Sequence, residues 1–184
     1  MIPVGYMFKT VSPRPDWLKA AGVADIYSLS GCVSEYFTDY INFWKHNGYW
    51  LFDSPAIIRD IAANIGLDLS QMTLFYYEAF DEEFDGGARR WTRFYPEKSF
   101  PTNVAPPAEA RLEGYDVTTF SGHTNPECSP LSCNSLAERI SINRHCLFES
   151  FDEAKAALES GKFDNTEPGP HRIFAVYTVK SAVK

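Results

Sequence analysis

Asp25-Ile26-Tyr27-Ser28-Leu29-Ser30-Gly31 returns 91 residues later as Asp116-Val117-Thr118-Thr119-Phe120-Ser121-Gly122. Asn47 with Leu51-Phe52-Asp53-Ser54 returns as Asn143 with Leu147-Phe148-Glu149-Ser150, at an offset of 96. Leu74-Phe75-Tyr76-Tyr77 has a looser echo in Ile173-Phe174-Ala175-Val176-Tyr177, at 99. Offsets that grow slowly in chain order are those of a duplicated unit that gained loop residues in its second copy. The expected fold is therefore α+β: a mixed β-sheet with covering helices, built from two pseudo-repeated β-α-β-α-β halves. A competing register, Leu29-Ser30-Gly31-Cys32 against Leu131-Ser132-Cys133, stays open.

The elements follow from periodicity and punctuation. Val4, Tyr6 and Phe8 alternate as a half-buried strand does. Asp25–Ser30 reads as the first repeat strand, and Val33, Phe37, Tyr40, Ile41 and Trp44 fall on one helical face that Asn47-Gly48 would stop. Tyr49–Phe52 is a short strand. Ser54-Pro55 is a helix start, with Ile57, Ile58, Ile61 and Ile65 along the helix and Gly66 at its end. Leu74–Phe80 and Arg89–Tyr95 form a hairpin across Asp85-Gly86-Gly87. In the second copy Ser129-Pro130 opens a helix carrying Cys133, Leu136, Ala137 and Ile140. Ser150 and Glu153 make a capping box before Ala154, Ala157 and Leu158, and Ile173–Val179 closes the fold. Four of the twelve prolines fall between Pro96 and Pro107. That divides the chain into a first half, 1–95, a Pro-rich connector, 96–113, and a second half, 114–184, within one compact domain.

A chain of 184 residues with 45% hydrophobic side chains has core enough to fold without a disulfide or a metal staple. The net charge of −7, from 17 basic and 24 acidic residues, excludes a nucleic-acid backbone as the expected partner. No apolar run approaches a membrane span, and no signal core follows Met1. The expected location is the cytoplasm, with the four cysteines as thiols.

The densest chemistry lies in the second half, at His123, Cys128, Cys133, His145 and Cys146. Thiolate and imidazole are the ligands zinc prefers, and Cys128, Cys133, His145 and Cys146 would close one tetrahedral site. The same residues offer a second reading, a cysteine nucleophile with His123, His145 or His171 as its base. Asp81, Glu82, Glu83 and Asp85 cluster at the hairpin tip, where exposed charge would steer a basic partner. Tyr36 and Phe43 fall off the buried face of their expected helix, as aromatic anchors of an interface do.

The sequence lacks G-x-G-x-x-G, G-x-x-x-x-G-K-[ST], H-E-x-x-H and G-x-S-x-G. The leading expectation is a non-enzymatic module that binds another protein. In size and charge it is similar to the immunity proteins that neutralise bacterial toxins. The alternative is a thiol- or zinc-dependent enzyme centred on Cys128, Cys133, His145 and Cys146.

Overall fold

The alternation of Val4, Tyr6 and Phe8 becomes strand β1 (Ile2–Lys9), which is buried on both faces from Val4 to Lys9. A computed structural model describes residues 1–41, 46–119 and 128–180. Its main sheet runs β1-β4-β7-β6, from β4 (Thr73–Asp85), β6 (Ala110–Thr119) and β7 (His171–Val179), and β5 (Arg90–Arg93) adds to β4 as a hairpin. The expected hairpin turn at Asp85-Gly86-Gly87 lies between β4 and β5. No described helix is long and apolar enough to cross a membrane.

The expectation of a mixed sheet is corrected: every described strand pair is antiparallel. The reason lies in the connections. Phe52 pairs antiparallel with Tyr6, so the chain runs back along β1 before helix α1 (Pro55–Ile65) returns it to the Lys9 end. There β4 starts, with Thr73 opposite Lys9. On the other side Phe148 pairs antiparallel with Tyr115, helix α3 (Phe151–Glu159) follows, and β7 starts with His171 opposite Thr119.

Both long helices begin at serines. Ser54 accepts from the Ile57 N–H, with Pro55 in the first turn, and Gly66 ends α1 in the left-handed region. Ser150 and Glu153 close a capping box on α3. The other two expected helices shrink. Residues 33–44 give only the 3₁₀ turn Phe37–Tyr40 among the described residues. Thr10 N–H donates to the Glu35 carbonyl and Lys9 bridges Tyr36, so residues 35 and 36 are already committed to extended pairing with the sheet. The expected 130–140 helix breaks after α2 (Pro130–Cys133), because Ser135 takes a left-handed φ of 55° before a second 3₁₀ turn, Leu136–Glu138. Strand β6 begins at Ala110, within the expected connector.

Of the matched pair Asp25–Gly31 and Asp116–Gly122, the described residues do not form two equivalent strands, and 120–122 lie outside them. Asp116 lies in β6, whereas Asp25 belongs to the two-residue β3 (Asp25–Ile26), which pairs with β2 (Ser12–Pro13) in a separate two-stranded sheet. The segment that has the surroundings of β6 is β1. Gly5 sits at a register shift with φ +139°, and Gly114 at one with φ +145°. Asn47 Nδ2 donates to the Val4 carbonyl at 2.6 Å, while its Oδ1 accepts from the Tyr49 and Leu51 N–H groups. Asn143 Nδ2 donates to the Glu113 carbonyl at 2.7 Å, while its Oδ1 accepts from the His145 and Leu147 N–H groups. Trp50 and Cys146, at the matching turn positions, have positive φ of 58° and 62°.

Two apolar clusters fill the interior. One joins β1, β4 and α1 through Tyr6, Phe52, Ile58 and Phe75, and the other joins β6, β7 and α3 through Val117, Phe148, Leu158 and Ile173. A Cβ at Gly5 would lie 2.7 Å from the Phe52 oxygen, and one at Gly114 would lie 2.6 Å from the Phe148 oxygen. Alanine at either position should therefore cost about 2 kcal/mol or more, since a disfavoured φ is combined with overlap on a backbone atom. Gly22→Ala, with open space around it, should shift stability by less than ~0.5 kcal/mol. Urea midpoints at constant slope check this; midpoints equal across the three variants would contradict it.

Candidate functional site

Three thiols from separate parts of the chain converge. The sulfurs of Cys32, Cys128 and Cys133 all lie within 4.8 Å of one another. Cys32 is exposed, Cys133 is half-buried and Cys128 is buried, so the cluster runs from the surface inward.

The backbone around each cysteine explains the convergence. Residues 28–30 are held from both edges of the sheet. From β1, Lys9 Nζ donates to the carbonyls of Ser28 and of Ser30, the latter at 3.0 Å. From β6, Asp116 Oδ2 accepts the Leu29 N–H at 2.7 Å. Cys32 N–H then donates to Ser30 Oγ at 3.1 Å, which fixes the turn carrying the first sulfur. Cys128 is tied to the end of β6, where Thr119 N–H donates to its carbonyl at 2.9 Å. Cys133 closes α2, its N–H donating to the Ser129 carbonyl at 2.9 Å. Ser129 precedes that helix but does not cap it with its side chain. Its hydroxyl donates instead to Asp116 Oδ2 at 2.7 Å, so one buried carboxylate holds both cysteine-bearing segments.

The thiols are polarised unequally. Cys128 and Cys133 hydrogen-bond to Cys32, and with Ser30 and the Lys9 charge they hold its pKa well below the ordinary thiol range despite partial burial. Cys128 is pushed far up by those same bonds to Cys133 and Cys32, and then by burial. Cys133 gains from its contact with Cys128, but its bond to Cys32 and its burial outweigh that and raise it. Burial lowers Lys9 to about 7, against Asp116, Cys133 and Cys32, which favour its charged form. Asp116 is raised by burial, which its bonds from Ser129 and Leu29 offset only in part. Beside this group the hydroxyls of Tyr36 and Tyr77 are buried without a hydrogen-bond partner among the described residues.

Of the four expected metal ligands, Cys128 and Cys133 meet and the other two do not join them. His145 Nδ1 lies 2.5 Å from Asp25 Oδ1, and its ring stacks on Tyr27 at 4.1 Å. Cys146 is fully buried in the second apolar cluster, where burial raises its pKa. It sits at a positive φ of 62° in the Asn143 loop. His123 and Phe43 lie outside the described residues.

Tyr36 packs on the first apolar cluster with Lys9 Nζ 4.4 Å from its ring centre, and its buried hydroxyl leaves it no free tip for an interface. The acidic residues sit at the far end of β4. Glu83 binds Arg172 at 2.7 Å, Asp81 lies 4.0 Å from Arg93, Glu82 faces Arg93 across the hairpin, and Asp85 accepts from the Ala88 N–H in the turn. Tyr36 instead faces Lys9, opposite Thr73 at the start of that strand. The expected aromatic and acidic residues therefore do not make one surface.

Sequence reasoning missed Cys32, Lys9, Asp116 and Ser129. The signal for Cys32 was the Leu29-Ser30-Gly31-Cys32 echo of Leu131-Ser132-Cys133, treated there as a question of register. Comparison with protein-family models, with characterised proteins and with solved structures finds no match.

The polarisation predicts selective chemistry. In chelator-treated protein, iodoacetamide should label Cys32 first. Its rate should stay nearly flat from pH ~6 to ~9, where an ordinary thiol gains roughly tenfold per unit below its pKa. Cys128→Ala and Cys133→Ala each remove a thiol donor, raise the Cys32 pKa and should restore the pH dependence. Mass mapping of the labelled peptide checks it, and faster labelling of Cys146 would contradict it.

Proposed function

We propose that this chain is a metal-binding protein that holds one thiophilic divalent ion, of the zinc class, between Cys32, Cys128 and Cys133. The observation that carries the reading is the mutual 4.8 Å limit on the three sulfurs. Zinc–thiolate bonds of ~2.3 Å require sulfurs no more than ~4 Å apart, so each sulfur need move inward by less than ~1 Å. Thiolates are the binding form, and the setting supports that form: Cys32 is already polarised toward it, and Lys9 is close enough to act on both Cys32 and Cys133. Three ligands with one of them exposed suit an ion with a further position open to solvent or substrate, which keeps the enzyme alternative within this reading. A cysteine–histidine nucleophile has less support, because the groups acting most on Cys32 are thiols, Ser30 and Lys9.

A second reading is a non-enzymatic, immunity-like protein-binding module. Its support is now the acidic β4–β5 hairpin rather than Tyr36. The related surroundings of Gly5 with Asn47 and of Gly114 with Asn143 likewise support a duplicated origin for the two halves. The register differs from that of the Asp25 and Asp116 heptapeptides, and the second half then starts at Ala110.

Native mass spectrometry tests the metal reading on protein purified from its own cells. We expect one zinc-mass adduct per chain, removed by chelator. The adduct should be lost or weakened in Cys32→Ser, Cys128→Ser and Cys133→Ser, and kept in Cys146→Ser. An adduct indifferent to the first three substitutions would contradict it.

A further inference from the structure

A cleft of 630 Å³ opens between the β4–β5 turn and the chain entering β7. Its charged lining is entirely acidic among the described residues: Glu83, Asp85, Asp164 and Glu167. Two of these are already engaged, Glu83 by Arg172 at 2.7 Å and Asp164 by Arg89 at 3.0 Å. Asp85 and Glu167 stand exposed at the rim with no side-chain ion pair among the described residues. His171 also lines the cleft. It is only 4% exposed, and neither ring nitrogen has a partner of normal hydrogen-bond geometry among the described residues.

A buried imidazole without partners is costly, and its chemistry says what would relieve it. Burial lowers its pKa to about 4, against Asp164 and the Glu167 carbonyl, so the ring is neutral at physiological pH. A neutral ring has one N–H and one lone pair. The Glu167 carbonyl is the acceptor close enough to act on the ring, which leaves the lone pair for a donor from the cleft. A ligand must then bring a donor to His171 and a positive charge to Asp85 and Glu167, along a wall that includes Phe84, Leu158 and Phe163.

We propose that this cleft receives the side chain of a lysine presented by a basic partner protein, with its ammonium donating to His171 between Asp85 and Glu167. The inference rests on the protein-binding reading and is independent of the metal. An ammonium is a compact charge with three donors on an apolar stem, matching one buried acceptor, two rim carboxylates and an apolar wall. A planar guanidinium would find its fork partner at the rim, on Asp85 or Glu167, since Glu83 and Asp164 are taken by Arg172 and Arg89, whereas a compact ammonium on a slender stem can also reach the buried His171 acceptor. The chain's charge of −7 favours encounter with such a partner.

The test is an NMR titration of the labelled full chain with the capped peptide Gly-Gly-Lys-Gly-Gly, and with the same peptide carrying acetyl-lysine or arginine. We expect saturable shifts confined to residues 83–92 and 163–171, weakened at least ~tenfold by lysine acetylation, which removes the charge. The double variant Asp85→Asn, Glu167→Gln changes only exposed residues and should weaken binding similarly; His171→Phe should do so if it folds. Shifts spread over the surface, equal for lysine and arginine and unchanged in the double variant, would overturn the cleft while leaving the acidic hairpin as a general docking surface. No shift at millimolar peptide would overturn the cleft outright.

Discussion

Everything at the cysteine cluster depends on two buried charged residues that grip the same three-residue segment. Lys9 comes from one edge of the sheet and Asp116 from the other, and between them they hold the carbonyls and an N–H of residues 28–30. Burying both costs several kcal/mol per ion unless each is met by good hydrogen bonds. Here each is: Lys9 by backbone carbonyls and the Tyr36 ring, Asp116 by Leu29, Ser129 and Val117. The cost of that burial is offset only if the segment stays in place, so the position of Cys32 follows from the same bonds.

Much of the scaffold was legible in the sequence because its determinants are local. Alternation marked β1, and the tyrosine- and phenylalanine-rich runs marked β4 and β7. Ser54 with Pro55, and Ser150 with Glu153, located the two long described helices through capping chemistry confined to four residues. What failed was set by distant partners. The helical spacing of Val33, Phe37 and Tyr40 is genuine, but a hydrogen bond from Thr10 and a bridge to Lys9 claim residues 35 and 36 first. Ser129-Pro130 looks like Ser54-Pro55, yet the Ser129 hydroxyl is drawn off by Asp116. Cys128 and Cys133 were recognisable as candidate ligands from their spacing; Cys32, 96 residues before Cys128, was not. Lys9 and Asp116 were missed because a charged residue in an alternating strand ordinarily faces water.

The cysteine cluster and the acidic cleft meet at one side chain. Asn134 Oδ1 accepts from Cys128 Sγ at 3.5 Å and from the Glu167 N–H at 3.2 Å. Across the sheet, Thr119 pairs with both Cys128 and His171. A thiolate has no proton to donate, so deprotonation of Cys128 leaves the Glu167 N–H to that oxygen. The two sites are therefore joined through the Asn134 side chain.

The central claim, that three cysteines drawn together by Lys9 and Asp116 hold one ion, is tested most directly by zinc-edge X-ray absorption on stoichiometrically loaded protein. The account predicts three sulfur neighbours at ~2.3 Å with a lighter atom completing the shell, falling to two sulfurs in Cys32→Ser. A shell of nitrogen and oxygen alone, or a sulfur count unchanged by Cys32→Ser, would contradict it.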